Sequence, residues 1–365
     1  MTTSREIPQT RLPVTLVTGF LGSGKTTMIN AALKAPELAR TVVVVNEFGE
    51  VGLDHSLVAN SNDAVIVLEN GCLCCTVRSD LVTTLNELYQ SRLSGRIAPF
   101  DNVVIETSGL AEPGPVLQAF LSEPTLDGLY RVASVVTLVD AVNWQGTSAN
   151  YDEAIRQVAL ADQIRVTKLD MAEAGAVDIK DLMAELRRLN PAAEIAEMDW
   201  STPAIAALLM SGGFDAANAQ ANPLPWLALS RYQATEVHNN NDSHLFGKEI
   251  ESFVFLRDQP VSRAELQFLL DGVSQNLGQG LLRVKGLVNV AEEPGRPAVI
   301  QGAQHLLHTM TWLDHWPDED KRTRVVFITQ GIARDSLREV IELLDRMSAR
   351  TFKAREKAQT RRDDA

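Results

Sequence analysis

Gly19-Phe20-Leu21-Gly22-Ser23-Gly24-Lys25-Thr26 follows the pattern G-x-x-x-x-G-K-[ST]. An apolar run, Leu12–Thr18, precedes it and reads as a strand; a helical pattern, Thr26–Leu33, follows. Strand, glycine-rich loop and helix in that order form a phosphate-binding loop. The glycines let backbone N–H groups turn inward around a β-phosphate, and the helix N-terminus adds the positive end of its dipole. In this reading Lys25 bridges β- and γ-phosphates and the Thr26 hydroxyl ligates Mg²⁺. Gly19, Gly22, Ser23, Gly24, Lys25, Thr26 and Thr27 are the expected phosphate-side residues. An accidental glycine-rich turn would not bring the whole motif and its flanking elements together.

Outward from the loop, short β-branched runs alternate with helical patterns. The expected strands are Leu12–Thr18, Thr41–Asn46, Ala64–Leu68, Asn102–Glu106, Val132–Val139 and Gln163–Thr167. Helical patterns include Thr26–Leu33, Leu81–Arg92, Pro115–Leu121 and Ile179–Leu189. Few charges interrupt the strands, as in a sheet covered on both faces. The alternation predicts an α/β domain with a doubly wound, mostly parallel sheet. Composition shifts to Gly, Ala, Asn and Gln near Ser211–Asn222, and Asn239-Asn240-Asn241 lies in a polar stretch. The expected division is therefore a P-loop domain over 1–225, a linker over 226–248 and a smaller α+β domain over 249–349. Strands at Glu249–Leu256, Gly280–Val290, Pro297–Gln301 and Arg324–Thr329, with helices at Ser262–Leu277 and Asp335–Met347, build that second domain. The tail 350–365 carries six basic and three acidic residues, net +3, and is expected to be mobile.

In open α/β sheets the carboxyl ends of the strands line the ligand crevice, so acids placed there are candidates. Glu106 ends an apolar strand and can reach Mg²⁺, directly or through water. Gly109 can present a backbone N–H near the γ-phosphate and act as a pivot. Lys25, Thr26, Glu106 and Gly109 form the expected catalytic set. Asn46-Glu47-Phe48-Gly49-Glu50 ends the second strand; Glu50 and Glu112 read equally well as ligands or as solvated turn chemistry. At Thr167-Lys168-Leu169-Asp170 the sequence nearly matches Asn-Lys-x-Asp. Asp170 would accept from guanine N1–H and the exocyclic amine, leaving an unsatisfied carboxylate opposite adenine. Lys168 would lay its stem along the base. Thr167 in the asparagine's place leaves guanine selectivity open.

All three cysteines, Cys72, Cys74 and Cys75, fall within Glu69-Asn70-Gly71-Cys72-Leu73-Cys74-Cys75. Thiols this close cannot close a useful disulfide loop, whereas adjacent thiolates can hold a soft or borderline metal. Glu47, Glu50 or water would complete an open site able to release a metal such as zinc. A redox pair of Cys72 and Cys74 is the competing reading. His238 and His244 flank Asp242 in the polar stretch and read more simply as solvated linker; His55 is a further weak candidate ligand.

A net charge of -13 with 22% charged residues argues against a dedicated nucleic-acid binder. The N-terminus lacks a signal-peptide pattern, and no apolar run approaches the roughly 18 residues of a membrane span. A cytoplasmic protein with reduced thiols is expected, with no membrane partner. Self-association is left open.

Together, Gly19–Thr26, Asn46–Asp54, Glu69–Cys75, Glu106–Pro113 and Thr167–Asp170 resemble the CobW-type GTPases, relatives of the UreG and HypB nickel-insertion GTPases. Cys-Leu-Cys-Cys matches that family's Cys-x-Cys-Cys. Glu249–Phe255, Leu281–Gly286, Gln301-Gly302 and Arg324–Gly331 look like its second domain, so the resemblance spans nearly the whole chain. It implies slow, metal-stimulated GTP hydrolysis, GTP/GDP and Mg²⁺ as bound species, and delivery of zinc, or sometimes cobalt, to a client metalloprotein. Lys25 and Thr26 would serve phosphate and Mg²⁺, the three cysteines the transferred metal, and Asp170 the guanine. Many members carry a long His-rich loop between domains that this chain lacks. A nucleotide-gated redox regulator and a P-loop small-molecule kinase are the alternatives.

Overall fold

The computed structural model describes residues 11–46, 65–68, 75–174, 177–211, 214, 222–229, 232, 250–303, 306–307, 310–333 and 335–347. The chain divides into two compact units, Met1–Asp215 and Ala216–Ala365.

Among the described residues of the first unit seven strands form one sheet: β1 (Leu12–Gly19), β2 (Thr41–Asn46), β3 (Val65–Leu68), β4 (Asn102–Thr107), β5 (Tyr130–Asp140), β6 (Gln163–Thr167) and β7 (Glu194–Glu197). Their order is β3-β2-β4-β1-β5-β6-β7, and every pairing is parallel. The sheet is thus wholly parallel among the described residues, where the sequence suggested mostly parallel. Interleaved are α1 (Lys25–Ala32), α2 (Cys75–Leu93), α3 (Pro113–Ser122), α4 (Pro124–Leu129), α5 (Trp144–Asn150), α6 (Asp152–Leu160), α7 (Leu169–Ala174), α8 (Ile179–Leu189) and α9 (Thr202–Leu209).

Alternation along each strand sorts side chains to the two faces. Val17, Val43, Val45, Val104, Val136 and Leu138 pack with Met28 and Ile29 of α1 and Ile205 and Leu209 of α9. The Thr15 hydroxyl, on that same face of β1, donates to the Leu209 carbonyl at 2.8 Å. Helices α3, α4 and α6 lie against β5, and α6 also reaches β1. Burial on both faces explains why these strands read as continuous β-branched runs. Because all strands run the same way, their carboxyl ends share one edge. That edge carries the loop after β1, the turn after β4 and the start of α7.

The first described element of the second unit is a short helix, α10 (Pro223–Leu227). Its sheet is antiparallel: β8 (Ile250–Arg257), β9 (Leu281–Val288), β10 (Ala298–Ala303), β11 (Leu306–Leu307), β12 (Thr311–Trp312) and β13 (Thr323–Gln330), ordered β11-β10-β9-β13-β8 with β12 against β10. Two helices, α11 (Arg263–Leu277) and α12 (335–347), cover one face. Leu266, Leu270, Val273, Leu337 and Ile341 close a core over Phe253, Val284, Ile300 and Phe327. Ser262 and Glu265 make a reciprocal capping box at the start of α11, a local signal worth about 1 kcal/mol. Both units match the α/β and α+β classes read from the sequence.

Candidate nucleotide site

The loop between β1 and α1 leads into a helix whose N-cap is Gly24, at φ 98°, with no side chain to satisfy the first-turn N–H groups. A helix start without a side-chain cap leaves its first N–H groups suited to an anion. Lys25 is 7% exposed, and its Nζ donates to the carbonyls of Gly19 at 2.7 Å and Phe20 at 3.3 Å. Its ammonium therefore lies over the loop. The Ser23 hydroxyl is buried in the same loop and has no hydrogen-bond partner among the described residues. A cavity of about 230 Å³ is bounded by the loop, Thr26, Thr27, Val45 and the strand-β4 end from Glu106 to Gly109.

Strand β4 lies beside β1 with Glu106 opposite Val17, which carries the Glu106 carboxyl to the loop. Glu106 is 5% exposed, and its Oε1 accepts from the Thr26 hydroxyl at 3.1 Å. Two neighbouring ligands of one octahedral Mg²⁺, each at about 2.1 Å, lie about 3 Å apart. The pair therefore fits the ion that the sequence reading assigned to it, and both oxygens are hard donors suited to Mg²⁺.

After β4 the chain turns at Ser108–Ala111, where the Ala111 N–H donates to the Ser108 carbonyl at 2.9 Å. A Cβ on Gly109 would stand 2.6 Å from Leu21 Cδ2 and 2.8 Å from the Leu21 backbone nitrogen. Only glycine permits so close an approach to the phosphate loop. Gln157 of α6, 1% exposed, donates from Nε2 to the Gly109 carbonyl at 3.1 Å and the Ala111 carbonyl at 3.0 Å. Glu112, weighed above as a ligand, forms an ion pair with Arg156 and so anchors this turn. Phe20 of the loop packs on Tyr151, with ring centroids 4.6 Å apart.

At the end of β6 the Thr167 hydroxyl, 1% exposed, lies 3.0 Å from the Ser23 carbonyl and 3.2 Å from the Val139 carbonyl. Thr167 thus ties the base-side strand to the phosphate loop. Lys168 adopts φ 59°, uncommon for a side chain with a Cβ and a conformation costing of order 1 kcal/mol. Its ammonium pairs with Asp140 at 2.7 Å. Burial pushes the Asp140 carboxyl up, but bonds from Lys168, the Asn143 amide and the Val142 N–H outweigh it and hold the group below the usual carboxylate range. Asp170, exposed in the first turn of α7, stands available beside Lys168. The sequence reading missed Asp140 and Gln157. Asp140 carried the signal that identified Glu106, an acid closing an apolar strand; Gln157 carried none.

Glu47, Glu50, His55, Cys72, Cys74, His238, Asp242, His244 and the tail 350–365 lie outside the described residues. Cys75 opens α2, while β3 ends at Leu68, so Cys72 and Cys74 fall in the connection between them.

Two family models cover most of the chain. Residues 13–197 match the CobW/HypB/UreG nucleotide-binding domain, and residues 250–344 match the cobalamin synthesis protein cobW C-terminal domain. The zinc chaperone YjiA of Escherichia coli is 31% identical over 327 residues, covering 90% of this chain and 96% of its own. The zinc-regulated GTPase metalloprotein activator 1 of Dictyostelium discoideum is 27% identical over 321 residues, covering 78% of this chain and 64% of its own. The crystal structure of the Zn(II)-bound YjiA GTPase from E. coli superposes with a TM-score of 0.61 at 27% identity, over 92% of this chain and 99% of that one. With both domains matched in order and the phosphate loop built as described, the chain belongs to the CobW/HypB/UreG family.

Proposed function

We propose that this chain is a GTP-hydrolysing metallochaperone that binds zinc through Cys72, Cys74 and Cys75 and passes it to a client metalloprotein in a nucleotide-dependent way. The observation that carries the nucleotide half is the direct contact between Thr26 and Glu106 at the mouth of a phosphate loop. The kinship with a zinc chaperone and a zinc-regulated GTPase carries the metal half.

The phosphate-loop N–H groups and Lys25 hold the β- and γ-phosphates and neutralise charge as the terminal phosphoryl group leaves. Thr26 and Glu106 would hold Mg²⁺, which would supply positive charge to offset that of the phosphates. Gly109 presents its N–H toward the terminal phosphate. Water adds to phosphorus, the bond to the β-bridging oxygen breaks, and GDP and phosphate result. Lys168 lies along the base and Asp170 reads guanine. Positioning and charge do most of the work in such a transfer, so slow intrinsic turnover is in keeping.

Strand β3 runs parallel to β2, β4 and β1, so its carboxyl end shares their edge. The cysteine motif follows that end in the sequence, with Glu47 and Glu50 following β2. This placement supports a reciprocal coupling in which nucleotide state changes metal affinity and metal changes nucleotide affinity by the same factor. Among the described residues, no helix is long and apolar enough to cross a membrane.

The test is a titration of the full chain with Zn²⁺, Co²⁺ and Ni²⁺ without nucleotide, with GDP and with a non-hydrolysable GTP analogue, alongside the phosphate-release rate. Tight zinc binding that differs between nucleotide states, and is lost in Cys74→Ala/Cys75→Ala, is the expected result. Zinc affinity indifferent to nucleotide, or unchanged in the cysteine variant, would overturn the proposal.

A further inference from the structure

Among the described residues strand β7 pairs with β6 alone, Glu197 opposite Val166, and the Met198 N–H continues the ladder to the Val166 carbonyl at 2.8 Å. The segments leaving β6 and β7 therefore run side by side onto the phosphate-loop edge: Thr167-Lys168 on one, Met198-Asp199-Trp200 on the other. The turn after β7 is clamped, since the Asp199 carboxylate accepts the Ser201 N–H at 2.8 Å just before α9 begins. Trp200 projects from this clamped turn and is 42% exposed.

Its indole edge lies against the phosphate loop. A Cβ placed on Gly24 would stand 3.1 Å from Trp200 Cη2 and 3.6 Å from Cζ2. Lys168 approaches the same loop from the neighbouring strand, its Nζ 4.0 Å from a Cβ placed on Gly22. Phosphates seated on the N–H groups between these two glycines leave the attached nucleoside beside both side chains.

We infer that Trp200 is an aromatic wall of the nucleoside pocket, contacting the base or ribose of the bound nucleotide across from the Lys168 stem. The inference rests on the nucleotide reading above and adds a residue to it. An indole has a rigid, flat, apolar face, and stacking on it tolerates any base. Trp200 therefore supplies affinity without discrimination, while Asp170 supplies the choice of guanine. The two contributions are separable by experiment.

The test compares wild type, Trp200→Ala and Trp200→Phe in the full chain, with calorimetric titration of GDP, ADP and tripolyphosphate. Trp200→Ala is expected to weaken GDP by about 5- to 150-fold, the span of base–aromatic stacking. ADP weakens by a similar factor, so the GDP-to-ADP ratio stays within about threefold, and tripolyphosphate, which has no nucleoside, binds as in wild type. Trp200→Phe recovers most of the loss and removes the nucleotide-induced change in tryptophan emission. GDP binding within twofold of wild type in Trp200→Ala would overturn the inference. So would an equal weakening of tripolyphosphate, which would make Trp200 a prop of the phosphate loop. Wild type binding tripolyphosphate but neither nucleotide would instead remove the nucleotide reading itself, and Trp200's role with it.

Discussion

Replacing Thr167 by valine removes one hydroxyl and almost no volume, so its effect isolates the tie between β6 and the phosphate loop. The hydroxyl carries a single hydrogen, and the shorter of its two contacts, 3.0 Å to the Ser23 carbonyl, receives it most directly. At 1% exposure no water replaces the lost donor, and a buried carbonyl left without its partner costs about 1–3 kcal/mol. In a unit of this size that corresponds to a fall of roughly 2–12 °C in melting temperature. If the loop must be re-ordered when nucleotide binds, GDP affinity falls by at most the same free energy, roughly 5- to 150-fold. Base choice should not change, because the hydroxyl faces the loop and Asp170 is intact. Thr167→Asn should retain near-wild-type GDP affinity, since an amide can donate to the same carbonyl. Thermal unfolding and competitive titration of GDP against ADP read these quantities. A Thr167→Val chain with wild-type melting and affinity would refute the tie, and one whose guanine preference collapsed would place Thr167 at the base instead.

The other expectations concern the same edge of the sheet. Gly109→Ala forces a methyl group within 3 Å of Leu21; overpacking of about 1–3 kcal/mol should lower the phosphate-release rate by about 5- to 150-fold, with GDP affinity changing less than threefold. An unchanged rate would show that the turn has slack. Glu106→Gln keeps an acceptor for the Thr26 hydroxyl but loses the charge, so the gain in GTP affinity on adding Mg²⁺ should shrink at least about tenfold; nucleotide titrations with and without Mg²⁺ decide it. Asp140 is held below the usual carboxylate range, so its pairing stabilises the fold above the unfolded value of about 4 and is lost as pH falls through the lower folded value. Asp140→Asn should therefore be less stable than wild type at neutral pH, and the two should converge on acidification below about 4. A stability gap that persists in acid would mean that charge is not what Asp140 contributes.

The phosphate loop was legible because its chemistry is local: glycines for the turn, a lysine and a hydroxyl at fixed spacing. Strands buried on both faces were legible because burial demands β-branched runs. Strand β7 was not, since Glu-Ile-Ala-Glu at the sheet edge pairs, among the described residues, on one side only and reads as helix or loop. Trp200 went unseen with it, because nothing marks a tryptophan after an unrecognised strand. Thr167 was read as a weakened asparagine. Its hydroxyl reaches the Ser23 carbonyl at 3.0 Å, a contact that spacing along the chain does not announce. Gln157 reaches the Gly109 turn only because α6 packs beside β1, a tertiary fact without sequence periodicity.

These contacts also bound how the turn at Gly109 can respond to a terminal phosphate. Its front is in close contact with Leu21 and its back is held by two hydrogen bonds from Gln157 and the Arg156–Glu112 pair. Drawing the Gly109 N–H toward a phosphate must therefore shift Leu21 or release Gln157. Two neutral hydrogen bonds are worth about 1 kcal/mol each, and a partly exposed ion pair less, so release costs a few kcal/mol at most. A gap of that size is one that a ligand with differential affinity can close, leaving the minor state at the level of per cent in its absence. Tyr151, which packs on Phe20, directly precedes α6, the helix that carries Arg156 and Gln157. Movement of the loop and movement of the turn thus act on one helix, so the two cannot be independent. The Gly109 turn is the natural element for nucleotide state to bias, and a Gln157→Leu chain, with its latch removed, should bind a non-hydrolysable GTP analogue more tightly relative to GDP than wild type does; an unchanged ratio in competitive titration would refute the latch.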